Sequence, residues 1–227
     1  MKTNRYIVVA IFIALIGFSA YGQDKKVEFG LMGGYGYSMP KLKDTRTVKS
    51  PAIDQNSLNG FHAGPILKFN LSEQMSLQTG LLFNYFSGVS LDRSQLALKN
   101  TLGTWRQERT KLTAFDLPLR VMYAVPLADE LNVFLFAGPS LNYAINKVSV
   151  TENFVDKKLT TKSEGKNIYQ SEGDFNALDV QMGGGIGIQL MGLSLRGGYD
   201  WGILNRTTLK DASLRANDLK ISLAYTF

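Results

Sequence analysis

The residue types that could do chemistry in this chain are few, and His62 is the clearest candidate for a general base. It is the only histidine among 227 residues. A Ser/His/Asp hydrolase would need a nucleophile on a G-x-S-x-G turn and an acid beside the imidazole. The sequence has no such turn, and no acid is placed beside His62 by its position in the chain. A lone histidine is more often a hydrogen-bonded filler, so we expect no catalytic residues and a non-enzymatic protein.

Two further patterns could suggest a cofactor or a metal ion. Residues 183–187 read GGGIG, which superficially resembles a phosphate-binding loop. They lie in a predicted strand, no helix is predicted to follow them, and the Gly-Lys-Ser/Thr ending is missing. The chain has no cysteine, so it offers no cysteine/histidine cluster for zinc and cannot form a disulfide. We therefore predict no cofactor and no metal site.

The positions of the charged side chains depend on an alternation of apolar and polar residues. Such a pattern, with period 2, predicts a strand that has one apolar and one polar face. The alternation is clearest at the end of the sequence, where the intervening residues are polar or small. One face there carries Leu219, Ile221, Leu223, Tyr225 and Phe227.

Seven other segments repeat this alternation, and the connections between them are alternately short and long. Short periplasmic turns and long extracellular loops are typical of outer-membrane barrels. The predicted fold class is therefore all-β: a closed, antiparallel, up-and-down transmembrane β-barrel of about eight strands. A soluble barrel with an apolar interior is the alternative. The predicted strands span 26–37, 60–69, 76–86, 113–125, 132–145, 178–190, 193–205 and 218–227, and the long loops span 38–59, 87–112, 146–177 and 206–217.

One hairpin can be assigned a register from its turn. Met191 and Gly192 form a two-residue connection that suits a type I′ turn. Outward residues then pair with outward residues, as a consistent assignment of the two faces requires. The predicted pairs are Leu190 with Leu193, Gly187 with Arg196, and Gly183 with Asp200.

The same alternation assigns a set of charged side chains to the inside of the barrel. An eight-stranded barrel has an interior just wide enough for side chains, and unpaired charge there is costly. We expect these groups to pair and to plug the lumen, together with the inward Phe86, Phe134, Phe136 and Met122, opposite inward glycines at 30, 34, 36, 183, 185 and 187. A polar conduit for solutes is the alternative. The predicted lumen charge network comprises Glu28, Lys68, Asp116, Arg120, Asp179, Arg196, Asp200, Asp218 and Lys220.

The start of the sequence has the pattern of a secretion signal. Lys2 and Arg5 precede an apolar run at 6–18, and small residues follow. The run is shorter than the roughly 20 residues of a spanning helix, so we predict a signal peptide at 1–22 rather than a retained anchor. We predict one barrel domain at 23–227, in which no stretch is long and apolar enough for a transmembrane helix.

The net charge of +6 and the pI near 9.4 raise the question of anionic partners. The basic residues are scattered among predicted loops, so we expect no nucleic-acid binding, and we expect contact with outer-membrane lipid headgroups at the rim. Trp105 lies among Arg93, Arg106, Arg109 and Lys111. It could contact lipopolysaccharide or a protein partner, or it could be an interfacial girdle residue.

Several segments resemble one known family, the PorT-like outer-membrane β-barrels, which are often labelled porin-family proteins. The resemblance covers nearly the whole predicted barrel domain. It is carried by FGLMGGYGYS at 29–38, by 60–83, by FDLPLRVMY at 115–123, by FLFAGPSLNY at 134–143, and by 179–205.

This resemblance implies an integral protein of the bacterial outer membrane, inserted by the barrel-assembly machinery, with Phe227 as part of the assembly signal. It implies no substrate, and the family offers no catalytic residues to carry over. Our leading hypothesis is a non-enzymatic structural or interaction component that supports secretion or envelope assembly, with a protein partner in the envelope. The alternative is a small porin for passive passage of solutes.

Overall fold

The computed structural model describes residues 26–44, 57–91, 103–165, 167–171, 175–210 and 212–227. The signal peptide predicted at 1–22 lies outside these ranges. Within them, no helix is long and apolar enough to cross a membrane.

Antiparallel strands make up nearly all of the regular structure. The one helix among the described residues, α1, has a single turn, Ile168–Ser171. The strands are β1 (Val27–Asp44), β2 (Leu58–Asn70), β3 (Met75–Gly80), β4 (Leu82–Leu91), β5 (Thr104–Ala128), β6 (Leu131–Val155), β7 (Lys158–Lys162), β8 (Leu178–Leu190), β9 (Leu193–Gly202) and β10 (Ala212–Thr226).

The sheet closes on itself because β1 pairs with β10 as well as with β2. Strands β3 and β4 form one broken strand, since each pairs with both β2 and β5. At the break, the Leu81 N–H still donates to the Pro65 carbonyl at 3.0 Å. Strand β7 pairs with β6 alone, outside the ring. The ring therefore has eight members, which confirms the predicted closed antiparallel barrel.

The outer face of the barrel is apolar, and the inner face is polar. Leu117, Leu119 and Ile186 are 48%, 45% and 55% exposed, whereas Asp116 and Arg120, on the alternate positions of β5, are 1% and 5% exposed. A barrel dissolved in water would bury the leucines and expose the charges. This inverted arrangement fits a surface surrounded by acyl chains, so the alternative of a soluble barrel is wrong.

The hairpin between β8 and β9 has the predicted register. Leu190 pairs with Leu193, Gly187 with Arg196, and Gly183 with Asp200, which confirms all three predicted pairs. Met191 and Gly192 have φ angles of 53° and 103°. Two consecutive positive φ values are the requirement of a type I′ turn.

Strands β5 and β6 extend further than the sequence predicts. Their pairing continues from Leu112 opposite Lys147 to Thr104 opposite Val155, so the predicted loops at 87–112 and 146–177 are largely strand near these ends. Both faces of this extension are rich in polar residues. It therefore lacks the alternation of apolar and polar residues that predicts a strand. A register shift interrupts the β5–β6 ladder at Thr113/Ala114, and β4 stays paired with β5 as far out as Leu91 opposite Gln107.

The outward leucines provide a test of lipid exposure. We expect Leu119→Arg to destabilise the barrel by about 2–4 kcal/mol, because it places a charge at mid-strand depth in the acyl chains. The matched control is Leu127→Arg, at the end of the same strand, where the cost is about 0–1 kcal/mol. Reversible urea unfolding in lipid vesicles measures both. Equal stabilities for the two variants would contradict the assignment of an outward, lipid-facing surface.

Candidate functional site

Six of the nine predicted lumen charges are buried, and Glu28, Lys68 and Lys220 are half-buried. Six of the nine take part in ion pairs. Glu28 and Lys68 lie near the short-turn, periplasmic end of the barrel. The Lys68 ammonium is 3.4 Å from Glu28 Oε2. The Asn70 amide donates to Glu28 Oε1 at 2.6 Å, so both carboxylate oxygens have partners.

A network across the middle of the lumen connects four strands of the ring, β5, β6, β9 and β10. Arg120 on β5 donates to Asp200 Oδ1 on β9 at 2.5 Å. Lys220 on β10 donates to Asp116 Oδ2 at 2.5 Å and lies 3.8 Å from Asp200 Oδ2. The Asn142 amide donates to the other oxygen of Asp116. These contacts pin strands from opposite sides of the barrel to one another.

Three of the predicted charges form no ion pair within the described part of the chain. Arg196 donates to Gln78 Oε1 and approaches the Met32 sulfur. Asp218 accepts a hydrogen bond from Gln181 at 2.9 Å. Asp179 is fully buried near the outer end of β8. These three side chains are buried, but a period-2 pattern cannot determine their partners.

Aromatic rings fill the space that inward glycines leave open. A Cβ on Gly36 would touch the ring of Phe86, and a Cβ on Gly187 would touch the ring of Phe134. A side chain on Gly185 would likewise meet Phe136. These three glycines therefore leave clearance for bulky rings, as the sequence predicts for the inward positions.

His62 is buried in the lumen and contacts a serine. Its Nε2 lies 2.8 Å from Ser222 Oγ on β10. Its Nδ1 has no hydrogen-bond partner among the described residues, so the third member of a hydrolase triad is missing from this part of the chain. The arrangement resembles a structural hydrogen bond more closely than a catalytic site.

Residues from the predicted long loops close the outer end of the barrel. Tyr169 of α1 packs against apolar residues inside the barrel and against Phe175 and Leu214 above them. Its hydroxyl accepts a hydrogen bond from Arg206 at 2.6 Å, and burial raises the pKa of the phenol. We call Tyr169, Phe175, Arg206 and Leu214 the outer cap. Isolated residues in long polar segments carry no periodicity, so the sequence does not predict this cap.

The outward extension of β5 and β6 is held together by paired side chains. The rings of Trp105 and Phe154 stack at 4.0 Å. Gln107 donates to Glu152 Oε2 at 2.5 Å, and Arg109 lies 3.4 Å from its other oxygen. The Gln107 hydrogen bond lowers the pKa of Glu152, and Arg109 adds to this effect. We call this β5–β6 extension the outer hairpin.

The position of Trp105 corrects both interpretations made from the sequence. A girdle residue or a partner contact would present an exposed indole. The side chain is instead 6% exposed and stacked within the outer hairpin. Trp105 therefore contributes to the rigidity of the hairpin.

A closed ring with a lipid-exposed apolar exterior and a charged, filled interior defines a small integral barrel of the outer membrane. The model of a family described as an outer membrane protein β-barrel domain matches residues 19–207. The match covers most of the chain, so the chain belongs to this family and is located in the bacterial outer membrane. No curated protein matches it.

Solved structures with a similar fold include other small outer-membrane proteins. Neisserial surface protein A is 10% identical, with a TM-score of 0.41, over 89% of this chain and 100% of that one. Ail, the attachment invasion locus protein of Yersinia pestis, is also 10% identical, with a TM-score of 0.36 and the same coverages. The outer membrane enzyme PagL is 9% identical, with a TM-score of 0.27, over 88% of this chain and 98% of that one.

The central network predicts unequal costs for removing different charges. Asp200→Asn leaves the buried Arg120 without its carboxylate, and we expect the free energy of unfolding to fall by about 3–5 kcal/mol. In the control Arg109→Gln, the side chain removed is 40% exposed, and the expected cost is about 0–1 kcal/mol. Urea unfolding in vesicles compares the two. A smaller cost for Asp200→Asn than for the control would show that the network does not hold the barrel together.

Proposed function

We propose that this protein is a closed, non-conducting and non-enzymatic barrel that anchors an extracellular structure in the outer membrane. In this proposal the barrel is a structural or interaction component that supports secretion or envelope assembly, as its sequence resemblance to PorT-like barrels implies. Its partners are lipopolysaccharide, the barrel-assembly machinery that recognises Phe227, and an envelope protein.

The filled lumen is the observation that carries the proposal. From the periplasmic side outward, the interior holds the Lys68–Glu28 pair, the central network and the outer cap. The cavity between them has a volume of about 40 Å³. That is room for a few water molecules, and it is far too small for a solute pathway.

The position of His62 supports a non-enzymatic role. A hydrolase needs a nucleophile and a base that a substrate can reach. His62 and Ser222 are 1% and 5% exposed, and they lie below the outer cap. A lipid or peptide substrate would have to displace both the cap and the central network to reach them.

The outer hairpin supports an interaction role. It carries the β5–β6 ladder eight residues beyond Leu112, to Thr104, which corresponds to about 26 Å of strand. The side chains near its tip are exposed, including Val155 at 40% and Leu159 at 51%. A stiff projection with apolar residues at its end is suited to contact a partner outside the membrane.

Planar-bilayer recordings test the closed lumen. We expect the purified barrel to insert without stable openings in the nanosiemens range, because the central network and the aromatic rings occupy the lumen. A larger porin inserted into the same bilayer is the control for sensitivity. Stable nanosiemens openings would overturn the proposal and favour the porin alternative.

Substitutions at the hairpin tip test the interaction role. The double variant Val155→Asp and Leu159→Asp changes two exposed tip residues, and we expect it to reduce recovery of the envelope complex at least tenfold after cross-linking in cells. Leu127→Asp, a 63% exposed residue at the opposite end of the barrel, is the matched control and should leave recovery unchanged. Equal recovery for both variants would contradict an interaction role for the hairpin.

A further inference from the structure

The cavity in the middle of the lumen has a distinctive lining. It lies between the wall strands β1, β2, β4, β5, β6, β9 and β10. The ionisable side chains around it come from four of these strands, β2, β5, β9 and β10, so the closed barrel is required to assemble them. They are His62, Asp116, Arg120, Arg196, Asp200 and Lys220.

Positive charge is in excess around this cavity. The lining contains three permanently basic side chains and two carboxylates. Both carboxylates are engaged: Asp200 accepts from Arg120, and Asp116 accepts from Lys220. Arg196 has no carboxylate oxygen within 4 Å among the described residues, so it is the one basic side chain of the lining without an ion pair there.

The surroundings of Arg196 make its buried positive charge unfavourable for the folded state. The residue is 9% exposed, and its hydrogen bonds go to the uncharged Gln78 and to the Met32 thioether. A thioether is a weak acceptor, and a guanidinium has five N–H donors to satisfy. The Phe136 ring lies 5.2 Å from the guanidinium carbon and covers another side. Nothing among these contacts neutralises the charge.

His62 supplies a buried polar atom without a partner. Its Nε2 is occupied by Ser222, and its Nδ1 has no hydrogen-bond partner among the described residues. A neutral imidazole that accepts the Ser222 hydroxyl at Nε2 carries its proton on Nδ1. Nδ1 is then a donor in a group that lines the cavity. A buried donor without a partner calls for a bound water or ion.

We propose that this cavity is a binding site for one small monovalent inorganic anion of the size of chloride. Arg196, Lys220 and His62 Nδ1 provide donors, and the anion balances the excess positive charge of the lining. The volume of about 40 Å³ has room for one monatomic anion. The anion would stabilise the folded barrel by mass action because the unfolded chain has no such site. This inference does not depend on the proposed function, since the anion would be structural in a barrel with any role.

Bromide provides a direct test on the unaltered protein. Crystals of the full barrel grown in sodium bromide should show an anomalous peak in the cavity, beside the Arg196 guanidinium. Ordinary water density without an anomalous peak would overturn the proposal. A peak at the protein surface alone would show an adventitious ion only, and would overturn it equally.

Thermal unfolding tests the role of Arg196 in the same site. At constant ionic strength, we expect the wild-type Tm in sodium chloride to exceed that in sodium gluconate, whose anion is too large for the cavity, by about 2–4 °C. Arg196→Gln should abolish this difference. Lys68→Gln, which removes a lumen cation that does not line the cavity, should retain it. A chloride effect that persists in Arg196→Gln, or a wild-type Tm equal in both salts, would contradict the site.

Discussion

Backbone hydrogen bonding is the constraint on which the rest of this structure depends. Acyl chains offer no partner to a peptide N–H or carbonyl, so a sheet within them must have no open edge. The pairing of β1 with β10, from Gly30 opposite Thr226 to Asp44 opposite Ala212, removes the edge that would otherwise remain. The broken strand formed by β3 and β4 obeys the same constraint, because the Leu81 N–H keeps a partner across the break.

Closure of the ring determines what the lumen must contain. Period-2 alternation places apolar side chains toward lipid, and every other residue is then forced inward. Burying these charges costs free energy unless they are paired. The charges at different depths of the lumen are compensated in different ways. Asp200, Arg120, Lys220 and Asp116 neutralise one another near the centre. Arg196 relies on uncharged neighbours, and it leaves the local excess of charge that points to an anion.

The sequence was sufficient for the faces of the strands and for one register, and it was insufficient for contacts across the lumen. Alternation assigns Arg120 and Asp200 to the inside of the barrel. These residues are 80 positions apart, and the sequence around each one does not determine its depth along the barrel axis. Side-chain reach and strand tilt decide that Arg120 meets Asp200. The register of β8 and β9 was predictable because a two-residue turn fixes it.

The parts that project from the membrane were hidden for a different reason. The outer hairpin is held by specific pairs such as Trp105 with Phe154 and Gln107 with Glu152, and its faces carry no contrast in hydrophobicity. The outer cap depends on Tyr169 and Arg206, which meet across 37 positions of the chain. A strand that projects into water needs a neighbouring strand for its hydrogen bonds, but it does not need an apolar face. Hydrophobic periodicity therefore predicts such strands poorly.

Closure at the β1–β10 seam is the central claim, and the absence of native cysteine makes it directly measurable. Leu31 and Tyr225 face each other across this seam on the outer surface. The double variant Leu31→Cys and Tyr225→Cys, oxidised in isolated outer membranes, should form an intramolecular disulfide in most molecules, whereas Leu31→Cys with Leu117→Cys should not. A seam pair that stays reduced while the protein is folded in the membrane would contradict the closed barrel.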